Sequence, residues 1–138
     1  MKTCKSCDNP KEDHEFYYTS MRYYSSICQE CKDWSFDAKT KVAAGEFKNL
    51  DQARKARNKT YMWTYLKTNP CVDCGEADII VLEFDHLPKY EKTWSVSDLA
   101  NSTASIKHLK DEILRCDVVC ANCHRRRTAT RAGWNKEA

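Results

Sequence analysis

The chain has 138 residues, a formal net charge of +3 and nine cysteines. This length suits one ordinary domain or two very small ones. No apolar run approaches the roughly 20 residues of a transmembrane helix, which excludes a membrane-spanning protein, and the opening Met-Lys-Thr-Cys lacks the apolar stretch of a secretory signal.

Eight of the nine cysteines form four C-x-x-C pairs, and Cys116 stands apart. The pairs are Cys4/Cys7, Cys28/Cys31, Cys71/Cys74 and Cys120/Cys123. A secreted disulfide scaffold is also rich in cysteine, but C-x-x-C closes too tight a loop for an ordinary structural disulfide and is the usual spacing of a zinc knuckle. The pairs therefore predict two structural zinc ions, each held by four thiolates, and a reducing, cytoplasmic compartment.

The first two knuckles define a four-cysteine zinc module over residues 1–36. An aromatic stretch between them, at 16–18 and 23–24, favours β-structure and predicts a short hairpin. Four cysteines already complete a tetrahedral zinc site, so we expect His14 at the surface and not on the metal.

Residues 37–69 are interpreted as a basic helical linker. The wider stretch 33–68 predicts two helical segments with an interruption at Gly45. Asn69-Pro70 ends the second segment, because the residue before a proline avoids the helical region. The predicted apolar face of that segment consists of Ala53, Ala56, Thr60 and Trp63.

The positive charge is concentrated in two blocks. Residues 39–69 hold eight Lys/Arg against two Asp/Glu, and residues 124–138 hold five against one. Two basic blocks separated by acidic modules predict contact with a polyanion, although a solvated helix face explains the middle block equally well. The linker residues that we assign to this contact are Arg54, Lys55, Arg57 and Lys59.

The third module, residues 70–138, is predicted to contain two strands and at least two helices. Residues 79–84 predict a strand that ends at Asp85-His86, and residues 116–119 predict a second strand. The last knuckle opens a final helix at His124. A helix is also expected over 106–114, with its buried side formed by Ile106, Leu109, Ile113 and Leu114.

A zinc ion shared by the last two knuckles would bring the strand end at Asp85-His86 beside His124. Four thiolates leave this zinc no open position, so catalysis needs a different ion. Asp85, His86 and His124 offer a carboxylate and imidazoles that suit Mg²⁺, Mn²⁺, Ni²⁺ or Zn²⁺. Adjacent strand residues face opposite ways, so one of Asp85 and His86 can hold the ion while its neighbour stays free to act as a base.

Residues 71–128 resemble the zinc-knuckle form of the HNH nucleases, also called ββα-metal nucleases. The matching segments are CVDCG at 71–75, LEFDH at 82–86 and DVVCANCHR at 117–125. The resemblance implies that His86 is the general base and that Asp85 and His124 hold the catalytic divalent ion. It also implies hydrolysis of DNA phosphodiesters to leave 5′-phosphate and 3′-hydroxyl ends.

One element of the family pattern is missing. The family usually has an asparagine a few residues before the second knuckle, where this chain has Arg115-Cys116-Asp117. Either Asp117 or the backbone takes over as the brace, or the loop is looser. Residues 4–31 resemble a cysteine-rich module found ahead of such nuclease domains in phage and bacterial proteins, which suggests a phage or mobile-element (homing-type) enzyme in a host cytoplasm.

The start of the final helix is expected to attract phosphate, because its free N–H groups and positive dipole end favour an anion. The residues that we assign to DNA contact there are Arg125, Arg126, Arg127 and Arg131.

Two functional hypotheses follow. The first is an endonuclease that acts on duplex or branched DNA as a monomer or homodimer, and the second is a non-catalytic zinc-finger DNA-binding regulator. The Asp85, His86 and His124 set favours the enzyme, because a pure binder has no need for it. The expected fold is a small zinc-stabilised α+β protein with an N-terminal zinc ribbon or knuckle, a helical linker and a C-terminal ββα-metal nuclease module.

Overall fold

The computed structural model describes residues 1–20, 23–91 and 94–134, so the end of the predicted basic tail, 135–138, lies outside the described residues. The described part is a small mixed α/β fold with three two-stranded antiparallel sheets. No helix in these ranges is long and apolar enough to cross a membrane.

The N-terminal module consists of two small hairpins. Strand β1 (Lys2–Thr3) pairs with β2 (Pro10–Lys11), and β3 (Phe16–Ser20) pairs with β4 (Tyr23–Cys28). Phe16 is 2% exposed and packs among the first four paired cysteines. The hairpin predicted between the first two knuckles is confirmed, and its apolar centre is one phenylalanine beside the cysteines.

The linker forms two helices, α1 (Gln29–Ala43) and α2 (Leu50–Thr68). Gly45 lies between them with φ +81°, a left-handed conformation that glycine adopts without steric cost. The Asn49 side chain caps α2 by accepting the N–H of Gln52. The predicted interruption at Gly45 is confirmed, but α1 begins earlier than expected, because it starts inside the second knuckle.

The predicted apolar face of α2 is wrong at two positions. Trp63 is 49% exposed and Thr60 is exposed, whereas Asn58 is fully buried. The Asn58 amide donates hydrogen bonds to the carbonyls of Ser102 and Ala104. These long-range bonds turn the Asn58 side of the helix inward.

The C-terminal module is organised around strands β5 (Leu82–His86) and β6 (Cys116–Cys120), which are antiparallel with Asp85 opposite Asp117. Helices α3 (Val96–Ala100) and α4 (Ile106–Leu114) lie between these strands in sequence. The last element is α5 (Ala121–Ala132), which begins directly at the fourth knuckle.

Two details of this module differ from the prediction. Residues 79–81 form a turn and not the start of the strand, because the Asp78 side chain accepts the N–H of Ile80 and its carbonyl accepts that of Val81. Leu114, the last residue of α4, is 71% exposed and does not belong to the buried side.

The core of this module consists of two apolar clusters. One includes Leu66, Leu82, Val118 and Val119, and the other includes Val96, Leu99, Leu109 and Ile113. Tyr65 and Phe84 pack against both clusters, with ring centroids 6.1 Å apart. Because Phe84 and Asp85 are neighbours on β5, this packing places Asp85 on the opposite face, toward α5.

Candidate functional site

The eight paired cysteines form two clusters. In each cluster the four Sγ atoms lie within 4.8 Å of one another. The sulfurs of Cys4 and Cys31 are 4.0 Å apart and those of Cys74 and Cys120 are 3.7 Å apart, close to the roughly 3.8 Å of a tetrahedral site with Zn–S bonds of about 2.3 Å. None of these eight cysteines forms a disulfide. Geometry and donor chemistry therefore fit two structural zinc ions.

Backbone N–H groups prepare the first thiol of each cluster to bind metal. The Cys4 sulfur accepts hydrogen bonds from the N–H groups of Ser6 and Cys28, at 3.3 and 3.2 Å. Burial opposes ionisation of Cys4, but the N–H groups outweigh it and lower the pKa to about 6. Cys71 follows the same pattern, with burial outweighed by backbone hydrogen bonds and a pKa of about 6. One thiolate in each cluster, that of Cys4 and that of Cys71, is thus stabilised, and the thiolate is the form that binds zinc.

Asp85 is 3% exposed. It lies on β5 and accepts hydrogen bonds from two arginines of α5. Arg131 donates to both of its carboxylate oxygens at 2.8 Å, and Arg127 donates to Oδ2 at 2.9 Å. Burial opposes ionisation of Asp85, but the hydrogen bonds from Arg131 and Arg127 outweigh it and hold its pKa below the ordinary value. A carboxylate has about four lone-pair positions, so a position remains on Oδ1.

His124 faces that remaining position. Its Nε2 atom is 3.6 Å from Oδ1 of Asp85. Its Nδ1 atom is 2.6 Å from Oε2 of Glu83, so an Nδ1–H donor leaves the lone pair of the neutral ring on Nε2. Two ligand atoms about 2.1 Å from one ion lie roughly 3.0–3.4 Å apart, so Asp85 and His124 come within reach of one divalent ion with only a small shift.

His86 lies on the other face of β5. Its Nε2 atom is 2.7 Å from Oε1 of Glu112, a carboxylate that is 1% exposed. Glu112 belongs to α4, so the His86 ring is directed toward α4 and not toward α5. The structure therefore brings Asp85 and His124 together and separates His86 from them by the width of the strand.

Arg127 connects the site to the second cysteine cluster. It donates to both oxygens of Asp73, at 2.7 and 2.8 Å, and to Asp117 at 2.9 Å, in addition to Asp85. The carboxylates, Asp73 first among them, raise the pKa of Arg127 above its ordinary value. Asp73 lies inside the third knuckle, so one guanidinium joins the knuckle, both strands and α5.

The sequence interpretation did not identify Glu83, Glu112 or Asp73 as part of this network. Glu83 could have been found, because it lies two residues before Asp85 and strand residues two apart share a face. Glu112 and Asp73 approach their partners from 26 and 54 residues away along the chain. No local pattern identifies such pairs.

The other predicted DNA-contact residues of α5 are at the surface. Arg125 lies with its guanidinium carbon 5.5 Å from the ring centroid of Trp134. Arg126 donates to the Cys123 sulfur at 3.6 Å. Both side chains are exposed, and the carboxylate network does not include them.

The predicted contact residues of α2 point in several directions. Arg54 pairs with Asp51 at 2.8 Å, and Lys55 is exposed. Arg57 stacks on Trp34, 4.6 Å from the ring centroid, and Lys59 is half-buried. They do not form one continuous basic face.

Comparison of this chain with protein-family models, with curated proteins and with solved structures found no match. No family is therefore assigned from these comparisons.

Proposed function

We propose that this protein is a metal-dependent DNA endonuclease of the ββα-metal type, with a site formed by Asp85, His124 and His86. The observation that carries the proposal is the pairing of Oδ1 of Asp85 with Nε2 of His124 at 3.6 Å. A buried carboxylate and an imidazole beside an open lone-pair position are a donor set that suits a divalent ion.

Asp85 and His124 would hold the ion, which when bound would neutralise charge on the phosphate and on the leaving oxygen. Glu83 fixes the tautomer and the orientation of the His124 ring, the usual task of a carboxylate behind a metal-binding histidine. Two protein ligands leave room for water and for a phosphate oxygen.

His86 is the proposed general base, and Glu112 orients it. A carboxylate beside one ring nitrogen fixes the orientation of the ring and leaves the other nitrogen to take a proton from water. His86 is the last residue of β5. A phosphate bound at this end of the strand would therefore be accessible to His86 from one face of the strand and to Asp85 and His124 from the other. Arg125 and Arg126 are available for the flanking phosphates.

A plasmid assay tests this function. Purified zinc-loaded protein is incubated with supercoiled plasmid, linear duplex or a four-way junction in Mg²⁺, Mn²⁺ or Ni²⁺. We expect cleavage with at least one ion and a loss of about 10²–10⁴-fold in His86→Ala, the usual contribution of a general base. His108→Ala, a change at an exposed histidine of α4, is the matched control and should cut normally.

Absence of cleavage with every ion and substrate would overturn the proposal. Unchanged cleavage by His86→Ala would overturn the assignment of the base alone.

A second candidate is a non-catalytic zinc-stabilised DNA-binding protein. It is favoured by the three guanidinium hydrogen bonds to Asp85, which would also suit a purely structural anchor for α5. Binding of Mn²⁺ measured by calorimetry on the zinc-loaded protein separates the two. The enzyme binds one further ion, and Asp85→Asn removes it; the DNA-binding protein binds none beyond its zinc.

A further inference from the structure

We infer that the groove between α1 and α2 binds an unpaired strand of DNA, with bases against its aromatic rings and phosphates on its cations. The groove encloses about 1110 Å³ and is lined in part by two zinc-binding cysteines, Cys7 and Cys31, but by none of Asp85, His86 and His124. The choice of DNA rests on the proposed function, but the binding itself does not depend on catalysis.

Aromatic rings capped by cations are the main feature of the groove. Three such pairs line it: Arg57 on Trp34 at 4.6 Å, Lys110 on Tyr61 at 5.3 Å and Lys32 on Tyr17 at 5.9 Å. Phe36 also lines the groove and is 74% exposed. Aromatic faces along a positively charged groove are the usual platform for stacked bases of single strands.

The charge of the groove favours an anion. Five Lys/Arg side chains line it, against the two carboxylates of Glu30 and Asp33. Arg57 is half-buried, and its hydrogen bonds go to neutral oxygens, Oδ1 of Asn58 and the carbonyl of Ala104. A phosphate would give this guanidinium an anionic partner.

The placement of the aromatic rings along a groove favours a single strand over a duplex. In a duplex the base faces are covered by stacking, so rings inside a groove meet only the sugar–phosphate edge. An unpaired strand presents base faces and phosphates together, which matches the alternation of rings and cations here. An acidic peptide would pair with the cations but would leave Phe36 and the other rings uncovered.

Binding measured without cleavage tests this inference. The zinc-loaded full chain, with no catalytic ion added, is titrated into fluorescently labelled oligonucleotides, single-stranded or hairpin duplex, and anisotropy is followed at several salt concentrations. We expect tighter binding of the single strand. Phe36→Ala should weaken it about five-fold or more, the effect of losing one stacked base, and should leave the salt dependence unchanged.

A charge variant should change the salt dependence of binding, which the aromatic variant leaves unchanged. Lys39→Ala removes an exposed groove lysine, so it should weaken binding and reduce the slope of log affinity against log salt by about 0.7, the value for one phosphate on a single strand. Trp63→Ala and Lys67→Ala are matched controls. Both change exposed α2 residues outside the groove and should leave affinity and slope intact.

Three results would overturn the inference: equal affinity of Phe36→Ala and the unaltered chain, tighter binding of duplex than of single strand, or displacement of the oligonucleotide by polyglutamate at equal charge concentration. The two proposals fail separately. Plasmid cleavage with no effect of Phe36→Ala on binding refutes the groove alone, and loss of binding in Phe36→Ala without any cleavage refutes the nuclease alone.

Discussion

The two halves of this chain repeat one arrangement: a knuckle, a pair of antiparallel strands, a second knuckle and a helix that starts inside it. The strands form a hairpin in the first half, whereas α3 and α4 lie between them in the second. In the first half, Phe16 on β3 is paired with Cys28, and α1 begins at the next residue. In the second half, Leu82 on β5 is paired with Cys120, and α5 begins at the next residue. The cysteine clusters are similar in geometry and in the pKa of their first thiol.

The side chains placed on this shared arrangement differ. Thr19 follows Phe16 by three residues, and Asp85 follows Leu82 by three residues. The residue after the second knuckle is Lys32 in the first half and His124 in the second. The N-terminal module therefore lacks the carboxylate and imidazole of the candidate metal centre. The comparison teaches that cysteine geometry positions a site, while the residues beside it decide its chemistry.

The largest effect should come from breaking one cluster at a time. Cys71→Ser removes a ligand of the second zinc, and structural zinc supplies much of the folding free energy of small modules. We expect zinc content to fall from two ions to one, the C-terminal module to unfold and cleavage to disappear. Cys4→Ser should also lose one zinc but keep cleavage of plasmid. Atomic absorption, circular dichroism and the plasmid assay check this, and equal loss of activity in both variants would contradict it.

The next effect separates the site from its scaffold. Asp85→Asn keeps an oxygen for the arginines but weakens binding of the ion, so cleavage should fall about a hundred-fold or more, while the zinc content stays at two. Thr19→Ala at the corresponding position of the first half should leave cleavage unchanged. Unfolding of Asp85→Asn, seen by circular dichroism, would instead make Asp85 a structural anchor.

A smaller effect is expected at the residue behind the histidine. Glu83→Gln keeps the size of the side chain but removes the carboxylate that holds Nδ1 of His124. Such outer partners usually contribute about 10- to 100-fold to metal affinity. The concentration of Mn²⁺ needed for half-maximal cleavage should rise by that factor, with the rate at saturating Mn²⁺ less affected. If the Mn²⁺ concentration for half-maximal cleavage is unchanged, Glu83 is not part of the metal site.

The sequence was most informative where the structure is local. The C-x-x-C spacing predicts both clusters, and the residues around it predict β6 and the final helix, because a knuckle is complete within a few residues. Helix α5 begins at Ala121, three residues before the expected start at His124. The pleat of a strand was enough to expect Asp85 and His86 on opposite faces.

Contacts between residues far apart in the sequence determine the features that the sequence did not predict. The buried face of α2 follows from the bonds of Asn58 to a loop 44 and 46 residues away, which helical periodicity cannot reveal. Arg127 was expected on phosphate, but it holds three carboxylates from distant parts of the chain. The same applies to Glu112, whose position beside His86 depends on the packing of α4.

The direct passage from the fourth knuckle into α5 has a mechanical consequence. Cys120 is the residue that caps this helix, with its sulfur accepting the N–H of Cys123, so no linker separates the cluster from His124. Each helical residue turns the chain by about 100°. A single residue inserted between Cys123 and His124 would leave every thiol in place and rotate His124, Arg127 and Arg131 away from Asp85. The second cluster therefore sets the rotational phase of α5 as well as its position.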